Sequence, residues 1–118
     1  MKANAMKSDS LEATENYSRA NATAPRVTLD DIKNNIVAEA YFTAGAAGDA
    51  LGLPMHDAAK LLTICILTPQ NGFTIIGKSA PASPENFDAE KGATFAYEDA
   101  VRQLWPLMGY ALREKLAA

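Results

Sequence analysis

The sequence holds one cysteine, Cys65, and one histidine, His56. A lone cysteine closes no disulfide within the chain, and a lone histidine anchors no multi-histidine metal site. No apolar run approaches the roughly 18–20 residues that cross a bilayer. Residues 1–21 contain no apolar h-region, so no secretory leader is expected. The formal charge is −3 and the isoelectric point about 5.0, which argues against a protein built to neutralise nucleic-acid phosphates. A disulfide scaffold, a zinc finger and a membrane span are therefore not expected. What remains is 118 residues, 48% hydrophobic and 21% charged, which suits one globular domain.

Residues 1–26 differ from the rest. Leu11 and Tyr17 are their only sizeable apolar side chains besides Met1 and Met6. Such a stretch cannot by itself bury enough apolar surface to offset the entropy of ordering it. The composition predicts a flexible tail over 1–26, with at most a helical turn around Leu11–Tyr17, and one domain over 27–118. Thr28 is a good N-cap, and Asp30 and Asp31 follow in a first turn. Val27 and Ile32 have the spacing of a hydrophobic staple. Leu29, Ile32, Ile36 and Ala40 recur at helical spacing, predicting a helix over about 29–43 that stops near Gly45. Residues 44–56, with Gly45, Gly48, Gly52 and Pro54, read as a loop or a broken second turn. Their spacing fits neither a Walker A loop nor GxGxxG.

Leu61 to Thr68 is apolar and β-branched, and Phe73 to Ile76 is a second such run. Pro69-Gln70-Asn71-Gly72 lies between them, so the two should pair as an antiparallel hairpin. Both faces of the first strand are apolar, which predicts cover on both sides. Ser83-Pro84 suits a short helical turn, and Asp88 is a second helix start. A long helix follows to about Ala117. Pro106 predicts a kink or break at Trp105–Leu107. The fold class is α+β: an N-terminal helix, a small antiparallel hairpin and a long kinked C-terminal helix. A hairpin alone is marginal in water, and that shortage of sheet predicts a homo-oligomer.

Several stretches form a more specific pattern. They are Thr63-Ile64-Cys65-Ile66-Leu67, Asn71-Gly72-Phe73, Gly77-Lys78-Ser79-Ala80, Ser83-Pro84-Glu85-Asn86-Phe87-Asp88 and Trp105-Pro106-Leu107-x-Gly109-Tyr110-x-Leu112-Arg113. In this order they resemble the gene-49/gene-66 family of small tailed-phage proteins. Ile36-Val37-x-Glu39 and Tyr41-Phe42 look like that family's N-terminal part. The resemblance covers about 28–117. It implies a phage or prophage origin and the bacterial cytoplasm, and supplies no catalytic residues.

The residues that could carry chemistry are few. Cys65 and His56 are the one thiol–imidazole pair, but Cys65 sits in an apolar strand, where a thiol is normally an inert small hydrophobe. Gly77-Lys78-Ser79 lacks the upstream glycine of a P-loop, yet an ammonium and a hydroxyl at a strand end suit a phosphate. Glu85, Asp88 and Glu90 lack EF-hand spacing, and Asp88 suits a helix cap. Trp105, Tyr110 and Arg113 are of the types that anchor interfaces. The expectation is a non-enzymatic phage accessory protein, without metal or cofactor, that binds and blocks or redirects a host bacterial protein in a host-takeover or anti-defence role. Trp105, Tyr110 and Arg113 would be its anchors. The alternative is a homo-oligomeric binder of a small nucleotide-like ligand, with Lys78, Ser79, Asn86 and Arg113 as contacts.

Overall fold

Three antiparallel strands in the order β1-β2-β3 form the sheet of the computed structural model, which describes residues 6–118. β2 (Thr63–Pro69) and β3 (Ile75–Ser79) are the expected hairpin, with Ile66 opposite Ile76 and Cys65 opposite Gly77. β1 (Ile36–Thr43) corrects the expectation of a helix to 43. Helix α2 (Leu29–Asn35) does begin at Thr28, where Thr28 and Asp31 form a reciprocal capping box. It stops at Asn35. From Ile36 the chain reads Ile-Val-Ala-Glu-Ala-Tyr-Phe-Thr, in which five of eight residues are β-branched or aromatic. Such residues gain most on a pleated surface, and β1 pairs Tyr41 with Cys65 and Phe42 with Ile64. Long-range pairing overrides the helical periodicity.

Helix α3 (Ala44–Leu51) replaces the expected loop. The Thr43 hydroxyl accepts from the Ala46 N–H at 3.1 Å and caps it. Its glycines serve close packing. A Cβ on Gly45 would lie 2.9 Å from the Lys60 backbone, in the 3-10 turn Asp57–Leu61. The helix ends at Gly52, whose φ of 67° favours glycine.

The expected flexible tail is also corrected. Residues 1–5 lie outside the described residues, but helix α1 occupies Asp9–Asn21 and packs on the domain. Leu11 is 1% exposed, inside the core. The Glu15 carboxylate accepts from both Arg26 guanidinium nitrogens at 2.8 and 3.0 Å, and from the Leu29 N–H at 3.2 Å. Ser8 donates to the buried Glu98, and Lys33 meets Glu12 at 3.0 Å. Two apolar anchors, Leu11 and the part-buried Met6, and a set of charge-assisted bonds offset the ordering cost that composition alone leaves unmet.

Helix α4 (Ala89–Ala117) starts at Asp88, whose side chain accepts from the Lys91 N–H at 3.0 Å. It runs through Pro106 without a break, so of the kink or break expected there the break does not occur. Arg102, whose carbonyl loses its partner, and Pro106 are both exposed, so water can take the freed acceptor. Ala96, Tyr97, Ala100, Val101 and Leu104 of α4 bury themselves with Cys65, Leu67 and Ile75 of the sheet. The closest approach is at Gly77, where a Cβ would lie 2.0 Å from the Ala96 carbonyl oxygen. The outer edge of β3 is closed by α4 side chains. Asp99 accepts from the Lys78 N–H at 2.9 Å, and Gln103 donates to the Ile76 carbonyl at 2.8 Å. Among the described residues nothing covers the other face of the sheet, where Ala38, Ala40, Phe42, Ile76 and Lys78 are exposed, against the expectation of cover on both sides.

Two outcomes follow for stability. Gly77→Ala forces the α4 backbone off β3 and should cost about 3 kcal/mol in urea unfolding, whereas Gly109→Ala, which has open space, should gain about 0.5–1 kcal/mol. The Arg26 guanidinium holds the Glu15 carboxyl below the usual carboxylate range, against the opposing pull of burial. Its contribution is present above the unfolded value of about 4.5 and is lost as pH falls through the lowered folded value. Glu15→Gln should therefore cost about 1–3 kcal/mol at neutral pH and nothing in strong acid, and should open Arg19 to trypsin.

Candidate functional site

The segment joining β2 to β3 is fixed from two sides. The Gln70 N–H donates to the Asn35 carbonyl at 2.8 Å, and its side-chain amide donates to the Asn34 carbonyl at 2.9 Å. Asn71 accepts from the Phe73 N–H at 3.0 Å in an Asx turn, and Gly72 takes a φ of 83° beside it. Phe73 is thereby held out from the sheet, 61% exposed. Opposite it, α4 presents Leu104, Leu107, Met108 and Ala111. Between these walls lies a cleft of about 300 Å³, with Asn35, Pro69 and Asn71 completing its lining. Its rim is apolar: Leu107 is 47% exposed, and Tyr110, one turn further on, is 70% exposed.

The expected anchors separate around α4. Trp105 turns inward, donates its indole N–H to the Val27 carbonyl at 3.1 Å and packs against the core. On an ideal helix Tyr110 lies about 140° round from Trp105, and Arg113 about 60° from Tyr110. Tyr110 and Arg113 are both exposed, but Arg113, about 80° from Trp105, lies on the side of α4 away from the cleft. Phe73 and Leu107, which line the cleft beside Tyr110, were missed by the sequence reading. The available signals were the Asn-Gly-Phe turn, which throws an aromatic outward, and the i, i+3 pair Leu107/Tyr110.

The expected ligand contacts separate too. Ser79 and Asn86 line a small pocket of about 150 Å³ beside the start of α4, together with Thr63, Phe87, Asp88 and Lys91. Lys91, not singled out from the sequence, is the basic residue there. Lys78 lies on the open sheet face by strand alternation and is not part of the lining. Arg113 lies 22 residues beyond Lys91 on the same helix, about 33 Å along its axis.

A third group is enclosed between sheet and helix. The Tyr41 hydroxyl donates to Glu39 at 2.7 Å, and Cys65 and Tyr97 lie in the same layer, both fully buried. The second Glu39 oxygen and the Tyr97 hydroxyl have no hydrogen-bond partner among the described residues. Burial raises the Glu39 carboxyl above the carboxylate range, opposed by the Tyr41 hydrogen bond. Burial likewise pushes the Cys65 thiol up to about 11, so it is protonated at neutral pH. Burial first, and Glu39 second, raise both tyrosines. His56 caps the 3-10 turn by accepting from the Ala58 N–H at 3.0 Å. Among the described residues, no three His, Cys, Asp or Glu side chains gather as a metal set. No helix of those residues is long and apolar enough to cross a membrane.

Residues 27–116 match the family model described as Phage protein (N4 Gp49/phage Sf6 gene 66) family. The match spans most of the chain, and the chain belongs to that family. No curated protein and no solved structure matches it.

The buried carboxyl makes a pH-dependent outcome. Because its folded value is raised, Glu39 carries no penalty below the unfolded value of about 4.5 and an increasing one as pH rises through the folded value. Glu39→Gln keeps an acceptor for Tyr41 and removes the charge. It should raise the melting temperature at about pH 7, with the difference vanishing below about pH 4. A lower melting temperature at neutral pH would show that the carboxylate is needed in place.

Proposed function

We propose that this phage-family protein is a non-enzymatic binding factor of the bacterial cytoplasm. It captures a host protein through the cleft between Phe73 and α4, and blocks or redirects it in a host-takeover or anti-defence role. The observation that carries this reading is the cleft itself. At about 300 Å³ it stands at the lower limit of small-molecule sites and suits one apolar side chain of a partner. Exposed aromatic and aliphatic groups around such a pocket are the composition of an interface centre. Phe73, Leu107 and Tyr110 are the anchors; Trp105 supports the helix from behind, and Arg113, about 120° or more round α4 from every helix residue lining the cleft, is not one of them.

The two groups best suited to nucleophilic chemistry favour a binding role. The Cys65 thiol is buried and held protonated, and His56 is engaged as a cap in another part of the chain. The alternative of a nucleotide-like ligand draws less support. Lys78, Ser79, Asn86 and Arg113 do not converge. The pocket that holds Ser79 and Asn86 is about 150 Å³, half the lower limit for ordinary ligand sites.

Native mass spectrometry of the protein purified gently from host cytosol reads the cargo. The expected result is a host polypeptide bound to the wild type. Leu107→Asp should weaken its capture by about 30-fold, the loss typical of a central anchor, while Ser79→Ala leaves it unchanged. An added mass of a few hundred daltons, lost with Ser79→Ala or Lys91→Ala, would reverse the assignment in favour of a small ligand.

A further inference from the structure

The sheet has one face under α4 and one open. Strand register places the open-face residues in rows. Phe42, Ile64 and Lys78 form one row, Ala40, Ile66 and Ile76 the next, and Ala38 and Thr68 the third. Phe42 is 38% and Ile76 58% exposed, and the one charge in the rows, Lys78, stands at a corner. Residues of both faces of β2 are apolar, a pattern of strands buried on both sides. Residues 1–5, outside the description, bring one large apolar side chain, Met1, against the four of this face. An exposed apolar face of this kind is the mark of an interaction surface.

We propose that this open face is where a second copy of the chain packs, sheet against sheet, about a two-fold axis. The face is complementary to itself. An axis running across the strands through Ala40, Ile66 and Ile76 reverses the strand direction and keeps each strand over its own counterpart. Phe42 of one copy then lies over Ala38 of the other, and Ile64 over Thr68, so large side chains meet small ones in both directions. The two Lys78 side chains fall four residues apart along β3. That is about 13 Å, beyond the screening length at physiological salt. Packing by the β3 edge is disfavoured, because Asp99 and Gln103 already occupy its free backbone groups. Stacked sheets of this kind lie about 10 Å apart with strands some 30° off parallel, which the twist of a three-stranded sheet accommodates.

The experiment is sedimentation equilibrium of the full chain over a micromolar concentration series, beside far-UV dichroism and thermal melting. The wild type should pass from the monomer mass of 12.6 kDa to twice that value. Ile76→Lys and Phe42→Ser, at residues already part-exposed, should hold the monomer mass with the fold retained. Leu107→Asp should leave the dimer intact, which separates this surface from the cleft. Ala40→Cys, close to the axis, should give a covalent dimer with a short bifunctional maleimide, whereas Asp57→Cys should not. A monomer at every concentration overturns the proposal, as does a dimer that survives both face substitutions. So does a monomer that loses host-protein capture on Ile76→Lys, since that gives the face to the host partner.

Discussion

The structure depends on how closely α4 can lie on β3. Gly77 has no Cβ to hold the helix away, and Ala96 and Ala100 keep the facing turns small. A second contact of the same kind secures the start of the helix, where a Cβ on Gly92 would lie 2.7 Å from the Thr63 hydroxyl. With the helix pinned at both places, Tyr97, Val101 and Leu104 land in the core, and Asp99 and Gln103 reach the β3 edge. The same geometry decides where contact ends. Beyond Met108 the helix departs from the core, and the side chains of Tyr110, Arg113 and Leu116 are exposed. The molecule is elongated accordingly, 50 by 28 by 23 Å. The cleft beside Phe73 lies at this departure, so its width is set by a backbone contact several turns away.

The two faces of the sheet divide their residues in an unusual way. On β1 the face toward α4 carries Glu39 and Tyr41, while the open face carries Ala38, Ala40 and Phe42. For a sheet with one wet side the opposite allocation is the rule. The inner polar groups are not fully satisfied, since one Glu39 oxygen and the Tyr97 hydroxyl lack partners among the described residues. Each such group costs on the order of 1–3 kcal/mol when it is cut off from water. The domain thus carries a cost within its core and an apolar surface outside it. Burying that surface against another molecule would offset the cost, which is the physical reason the sheet is a better candidate for assembly than its edges.

Legibility in the sequence followed the range of the determining interaction. Local signals were read correctly at Thr28 and Asp88 as caps, at the Pro69–Gly72 turn, and in the β2–β3 hairpin, because the residues that decide these features lie within a few positions of one another. β1 was missed. Ile36, Ala40 and their helical neighbours satisfy both a 3.6-residue and a two-residue repeat, and only pairing with β2, more than twenty residues away, separates the two. At Pro106 the sequence left a kink or a break open, and the helix continues, because an exposed proline costs a hydrogen bond without forcing the helix to end. The site was half legible. Tyr110 and Arg113 are surface residues as expected, but the inward turn of Trp105 depends on the Val27 carbonyl, and Phe73 joins the cleft only through the placement of α4.

Helix α1 shows what composition cannot see. The family match begins at 27, after α1, so this helix is attached to a domain whose matched part starts beyond it. Its attachments are Leu11 in the core and polar bonds from Ser8, Glu12 and Glu15 to Glu98, Lys33, Arg26 and Leu29. Leu29, Lys33 and Glu98 all lie inside the matched region, so α1 binds the domain as a ligand would. A piece held by Leu11, the part-buried Met6 and several ion-assisted bonds opens at lower free energy than the sheet beneath it. Its release would uncover the surface between α2 and α4 while leaving the Gly77 contact, the cleft and the open sheet face unchanged. The part of the molecule that composition marked as a tail is therefore folded, and it is also the part whose folding the rest of the structure least requires.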